Sequence, residues 1–406
     1  MHRPGENIKL KVTFIFPGPY PKGKVSPRRA HLLARGLAEN GFNVLMLITE
    51  ATENRGKVFN PLPYGVYEGV NYEYIGGKTI RDPNYLVRNL RKTRCHFSLL
   101  FNLLINKYKT DFYIILGCSF DYRILIPIIL SLKRSKVFLE INEYPLVNQS
   151  NLIAHIKRWI LFNLIFPYFN GFMPISKALE DLILKFKSRS ARSIVIPIIG
   201  CEPIGNETNY NRRPIIDDYI FHAGSLIEQK DGILGMIEAF GIAKKQLDSK
   251  IKYVFTGMLE NTPDKEEIEK KINNYDLGKH VVFTGYLSDN ELDLYLRHAS
   301  LAIINKKRNL QNNYCFASKI AEYTAYEIPI ILTNVGDIDL YFRDGINSII
   351  VDEGQTQALA EAIISVFKNQ VNGFKIGSQG RLIFESNFNY KIQGRRLKQF
   401  MIDLID

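Results

Sequence analysis

Tyr314-Cys-Phe-Ala-Ser-Lys-Ile-Ala-Glu-Tyr-Thr-Ala-Tyr-Glu-Ile-Pro-Ile-Ile-Leu-Thr-Asn334 reads as a short polar loop, a helix and an apolar strand. The loop carries Ser318 and Lys319, the helix carries Glu322 one turn further in, and the strand runs from Pro329 to Leu332. A helix start offers unpaired amide N–H groups and the positive end of a dipole, which suits an anion such as a phosphate. A carboxylate on the next turn accepts from vicinal hydroxyls, as an acid does for the ribose in dinucleotide folds. The stretch therefore implies a site for a phosphate ester of a sugar.

The same grammar recurs along the chain. Strand Tyr219 to Ala223 leads through Gly224 to Asp231 into a helix from Ile233 to Lys245 and a strand from Lys252 to Thr256. Further strands are expected at Val281 to Thr284, Leu301 to Ile304 and Ser348 to Val351, with helices between. The first half opens alike: strand Leu10 to Phe16, the loop Pro17 to Gly23, a helix from Pro27 to Asn40, and strand Asn43 to Thr49. Strands at Tyr72 to Ile75, Phe112 to Leu116 and Lys136 to Ile141 follow, with helices around 84–108, 121–133 and 151–169. Strand, loop, helix, strand is the pattern of βαβ units with parallel sheets. Cys201 to Asp218, with its prolines, asparagines and Arg212-Arg213, breaks the rhythm as a linker would. The expected fold is α/β, with two Rossmann-like doubly wound domains facing a cleft. They cover 1–205 and 206–390; a last helix at 391–406 has no packing site that the sequence reveals.

The 406 residues suffice for two cores, and 46% hydrophobic with 23% charged residues is ordinary for a globular chain. Four scattered cysteines show neither a disulfide pattern nor metal-ligand spacing, which fits a reducing compartment. No signal peptide or membrane-spanning run is legible, so a cytoplasmic location is expected. Net charge is +12, but residues 1–205 hold 29 Lys and Arg against 14 Asp and Glu, and the remainder 24 against 27. The basic excess thus lies wholly in the first half and calls for an anionic partner. No nucleic-acid module is present. Basic residues beside large apolar ones, at Arg88 to Lys109 and Lys157 to Phe166, suit helices lying on an anionic membrane surface; core-facing helices with solvated lysines explain the pattern too.

Several loops carry candidate chemistry. Gly224 and Ser225 open a strand-to-helix loop whose Lys230 could neutralise a diphosphate, and Tyr286 follows Thr284-Gly285 on the same rim, where it could stack on a base. In the first half, Glu140, Asn142 and Glu143 end a strand, where a carboxylate could accept a proton from a hydroxyl. Asp337-Ile-Asp339 has the D-x-D form of a metal site in an unsuitable strand context, so neither a metal nor a cofactor is expected.

Taken together, Gly224…Lys230-Asp-Gly232, Phe283-Thr-Gly-Tyr286, Phe316-Ala-Ser-Lys319…Glu322-Tyr323 and Thr333-Asn-Val-Gly336 resemble the donor domain of GT-B glycosyltransferases, specifically the retaining family 4 (group 1) enzymes. The first half resembles their acceptor domain more diffusely, through Leu33-Ala…Gly41, Glu140-Ile-Asn-Glu-Tyr-Pro145 and Pro174-Ile-Ser176. The resemblance implies transfer of a sugar from a nucleotide-diphosphate donor, with retention and without a metal, to a saccharide or lipid-linked saccharide in surface polysaccharide or glycoconjugate assembly. It implies that Lys230 holds the diphosphate, that Glu322 binds the ribose, and that Phe316, Ala317 and Ser318 contact sugar and diphosphate through their amides. It also places Gly18 and Gly23 near the diphosphate and acceptor. Two positions depart from the pattern: Tyr314 replaces the first glutamate of the E-x7-E pair, and Ser225 stands where an arginine is frequent. Lys319 is the expected source of the charge that Ser225 lacks. A nucleotide-sugar epimerase of the same fold and a non-catalytic nucleotide-sugar-binding partner are the alternatives.

Overall fold

The computed structural model of the chain describes residues 10–23, 25–56, 58–117, 120–133, 135–147, 149, 151–204 and 213–405, the side chains of 120–123 excepted. The expected linker therefore lies partly outside the described residues. Two compact units are present, Met1–Ile199 with Tyr390–Asp406, and Gly200–Asn389. The boundary thus falls before residue 205, and the last helix groups with the first unit.

The first unit is built on eight strands: β1 Lys11–Phe16, β2 Asn43–Ile48, β3 Tyr64–Tyr67, β4 Val70–Tyr74, β5 Phe112–Ile115, β6 Lys136–Ile141, β7 Gly171–Pro174 and β8 Arg192–Ser193. Their spatial order is β3-β4-β2-β1-β5-β6-β7-β8, parallel except for the β3–β4 hairpin. Val12, Phe14, Ile15, Phe112, Ile114 and Phe138 are wholly buried, as strands covered on both faces require. Strand order reverses between β1 and β5, so the loop after β1 leaves from a topological switch point. Strand β7, not legible in the sequence, is four residues bounded by Gly171 and Pro174. The glycine is needed there: a Cβ would come within 2.3 Å of the Phe138 ring.

Helix Tyr390–Ile402 packs on helix Val25–Glu39 through paired glycines. A Cβ on Gly394 would lie 2.6 Å from the Gly36 carbonyl, so the two backbones touch where neither residue has a side chain. Tyr390 donates its hydroxyl to Glu39 at 2.8 Å and lies under the Arg35 guanidinium, 4.9 Å from the ring centre.

The second unit has six parallel strands: β9 Tyr219–Ala223, β10 Lys252–Thr256, β11 Val281–Phe283, β12 Leu301–Ile304, β13 Ile330–Thr333 and β14 Ile349–Val351. Their order, β11-β10-β9-β12-β13-β14, is the doubly wound 3-2-1-4-5-6 arrangement. Its core gathers Ile220, Phe240, Tyr253, Phe255, Ile303, Ile331 and Ile363. The switch point lies between β9 and β12, whose carboxyl ends are Ala223 and Ile304. The loops beginning at Gly224 and Asn305 both start there.

Candidate functional site

The loop after β9 is fastened before it reaches Lys230. Leu226 turns it with φ +56°, and Thr262 donates its hydroxyl to the Leu226 carbonyl at 2.6 Å. A single helical turn, Glu228–Asp231, follows and ends at Gly232, whose φ of +63° favours glycine. A Cβ on Gly232 would also sit 2.2 Å from the Asn305 carbonyl. The facing segment after β12 grips this turn. Lys307 pairs with Glu228 at 2.5 Å, and Asn309 donates to the Gln229 carbonyl at 2.9 Å.

These contacts leave the Lys230 side chain exposed, with no carboxylate within 4.0 Å among the described residues. Ser225 does not replace the expected arginine: its N–H and O–H both donate to Asp231 Oδ2, at 3.0 and 2.6 Å. Burial opposes a charge on Asp231, but the Lys306 ammonium overcomes it and holds the carboxyl well below the usual range. The sequence alone does not point to Asp231, Lys306 and His222, since their partners come from another loop.

Glu322 lies in helix Lys319–Ala325, half-buried within its first turn. Lys319 is the first helical residue rather than a loop residue, and its Nζ lies 3.5 Å from Glu322 Oε2. It therefore pairs with the expected ribose ligand. Ser318 adopts helical angles and makes no side-chain cap. The amides of Ile320 and Ala321 already donate to Ala317 and Ser318 carbonyls. What this short turn can offer an anion is thus the amides of Ser318 and Lys319.

Phe316 is buried and stacks on Tyr341 at 5.4 Å, so its ring anchors the segment and Ala317 remains half-buried beside it. Tyr314 ends helix Leu310–Tyr314, half-buried. Gly336, φ +72°, backs this stretch; a Cβ there would come 3.0 Å from the Cys315 carbonyl. Tyr323 connects the two halves of the site, since its buried hydroxyl accepts from the Ala223 amide at 2.8 Å. Burial is the main cause that pushes the Tyr323 hydroxyl up, and Glu322 and Asp231 both add to it. Lys230 and Glu322 therefore belong to one rim.

Gly257 and Gly285 bridge the ends of β10 and β11, with Gly257 N–H donating to the Gly285 carbonyl at 2.9 Å. Tyr286 follows, 62% exposed. A Cβ on Gly257 would lie 3.0 Å from the Gly224 carbonyl, which puts this corner beside the Gly224 loop.

In the first unit, Glu140 is buried and bound to Arg29 at 2.7 Å, and Arg29 also donates to the Ile196 and Pro197 carbonyls. A carboxylate so engaged orders the unit rather than receiving a proton from a substrate. Glu143 is exposed just past the carboxyl end of β6, and Asn142 is half-buried next to it. In the loop after β1, a Cβ on Gly18 would enter the Phe16 ring at 2.4 Å, and one on Gly23 would meet Pro27 at 2.5 Å. Both glycines are thus required by packing. Asp337 of the D-x-D sequence is buried at the start of helix Ile338–Tyr341. Among the described residues, no group of three or more His, Cys, Asp and Glu is placed to hold a metal ion.

Residues 210–382 match the family Glycosyl transferases group 1. A curated relative, 2-deoxystreptamine N-acetyl-D-glucosaminyltransferase of Niallia circulans, is 26% identical over 125 residues; the match spans 31% of this chain and 31% of that one. Sucrose-phosphate synthase from Thermosynechococcus elongatus superposes with a TM-score of 0.69 at 15% identity, over 98% of this chain and 99% of that one. A glycosyltransferase from Rickettsia africae gives 0.70 at 16%, over 98% and 99%. Anabaena HepE in complex with UDP-glucose gives 0.67 at 12%, over 97% and 100%. The chain has the GT-B fold, and within it residues 210–382 are similar to the Glycosyl transferases group 1 family.

Proposed function

We propose that the protein is a glycosyltransferase that moves a sugar from a nucleotide-diphosphate donor to a saccharide or lipid-linked saccharide acceptor. The observation that carries this reading is the unspent Lys230 ammonium at the carboxyl edge of a doubly wound sheet, on the same rim as Glu322. There Lys230 neutralises the departing diphosphate, the Ser318 and Lys319 amides bind its oxygens, and Glu322, oriented by Lys319, accepts from the ribose hydroxyls. Tyr286 lies where a base would stack, and Tyr314 takes the place of the absent glutamate beside the sugar. Glu143, with Asn142 and the Gly18–Gly23 loop, serves the acceptor hydroxyl. The ligands held by two structural neighbours support the substrate class: UDP-glucose in HepE, and UDP with GlcNAc in the pneumococcal O-GlcNAc transferase GtfA. Retention and independence of metal follow from the family resemblance, and surface polysaccharide assembly is the proposed setting.

A panel of nucleotide sugars tests the donor. At a hundredfold excess over Kd, a true donor stabilises the folded state by about 2.7 kcal/mol. At least one should raise the melting temperature and release its nucleoside diphosphate on turnover. Stabilisation without turnover or slow hydrolysis would point instead to a non-catalytic binder.

The first unit is proposed to rest against an anionic inner leaflet. Helix Tyr85–Leu104 exposes Leu86, Leu90, Phe97 and Phe101, and helix Leu152–Ile160 exposes Ile153, Ile156 and Trp159; neither contains an acidic residue. Part of the expected basic face is spent internally: Arg91 pairs with Asp82, Lys92 with Glu50, and Arg158 is buried on the Leu146 and Gln149 carbonyls. Arg88 and Arg94, both exposed, are left to meet lipid headgroups. Among the described residues, no helix is long and apolar enough to cross a membrane. In liposome flotation the protein should rise with anionic vesicles and stay down with neutral ones; equal behaviour with both would remove the membrane from the account.

A further inference from the structure

Lys306 is the second residue after β12, and its ammonium does two things at once. It donates to the Lys230 carbonyl at 2.9 Å and pairs with Asp231 Oδ1. Asn312 donates to the same Lys230 carbonyl at 3.3 Å. Through Asp231 the grip passes to Ser225, whose N–H and O–H end on the other carboxylate oxygen. One cation therefore fixes both ends of the loop, Gly224–Ser225 on one side and Lys230 on the other.

The opposite wall does not compete for that carboxylate. His222 is buried with Nδ1 3.2 Å from the Ile303 carbonyl, and burial lowers its pKa, so it is neutral near pH 7. Its Nε2 faces Gly224 closely enough that a Cβ there would be 2.2 Å away. The loop is thus confined from below by His222 and tied laterally by Lys306.

We propose that Lys306 is a positioning residue for the donor diphosphate. It sets the spacing between the Lys230 ammonium and the Gly224–Ser225 backbone, and it does so without touching the reacting atoms. Ser225, in place of an arginine, then has a physical role: it is the hydroxyl and amide pair that Asp231 needs in order to transmit the grip. The inference rests on the donor reading given above.

Lys306→Met alone would leave Asp231 as a buried unpaired charge and could unfold the unit. The decisive variant is therefore Lys306→Met with Asp231→Asn, which removes both charges, compared with wild type and Lys306→Arg. Calorimetric titration with UDP, GDP and ADP reads nucleotide affinity; donor KM and kcat are measured with the sugar that the panel selects. The double variant should melt near wild type, bind the preferred nucleoside diphosphate about tenfold more weakly, and raise donor KM more than it lowers kcat. Lys306→Arg should recover most of the affinity. A folded double variant that binds as wild type overturns the positioning role alone. A wild type that binds none of the three nucleotides overturns the donor reading, and this proposal with it.

Discussion

Replacing Lys230 with alanine is expected to lower kcat/KM for the nucleotide-sugar donor by about 100- to 1,000-fold with no change in melting temperature. The side chain is exposed and without a carboxylate partner among the described residues, so its removal breaks no packing. Its main chain, by contrast, is held by Lys306 and Asn312 at the carbonyl. The ammonium is therefore presented at a fixed place, and its attraction grows as further negative charge develops on the departing diphosphate. Interactions that strengthen in the transition state are the ones that raise kcat. A steady-state assay with the best donor, paired with a thermal melt, reads both halves of the prediction. An unchanged kcat/KM would move the diphosphate elsewhere.

Arg29→Met is expected to cost about 3–5 kcal/mol of stability, because it strands the Glu140 carboxylate in the interior of the first unit. Both partners are buried, and the guanidinium also satisfies two carbonyls at the end of the unit's last connecting segment. Adding Glu140→Gln should recover part of the loss, since the remaining group is then neutral. Urea unfolding followed by fluorescence checks this. Equal midpoints for wild type and Arg29→Met would mean that Glu140 is not held as described, and would return it to the candidates for acceptor chemistry.

How much the sequence reveals differs between local and assembled features. Tyr219–Ala223, Lys252–Thr256 and Leu301–Ile304 read directly, because apolar runs bounded by turn residues declare buried parallel strands. Strand β3 does not, being an exposed edge with Tyr64 and Val66 in solvent, and β7 does not because glycine and proline bound it. The stretch 151–169 reads as one helix, but its π-helical segment Leu161–Ile165 and short 3-10 turn Phe166–Tyr168 end it in three steps. The places of Lys230 in the turn after β9 and of Glu322 in a first helical turn can be read from their immediate neighbours. Glu140 cannot be read correctly, since the residue that claims it is 111 positions away. Nor can Lys306 and Asp231, whose pairing across 75 positions exists only after β9 and β12 become neighbours. Contacts fixed by a few adjacent residues are legible; contacts fixed by strand order are not.

A crystal structure of the protein soaked with the nucleoside diphosphate that stabilises it best would decide whether the rim of the second unit is the donor site. Density is predicted at the carboxyl edge of β9 and β12, with a phosphate oxygen within hydrogen-bond reach of Lys230 Nζ and the ribose hydroxyls on Glu322. Nucleotide bound away from that rim, or there with Lys230 and Glu322 both untouched, would contradict the assignment.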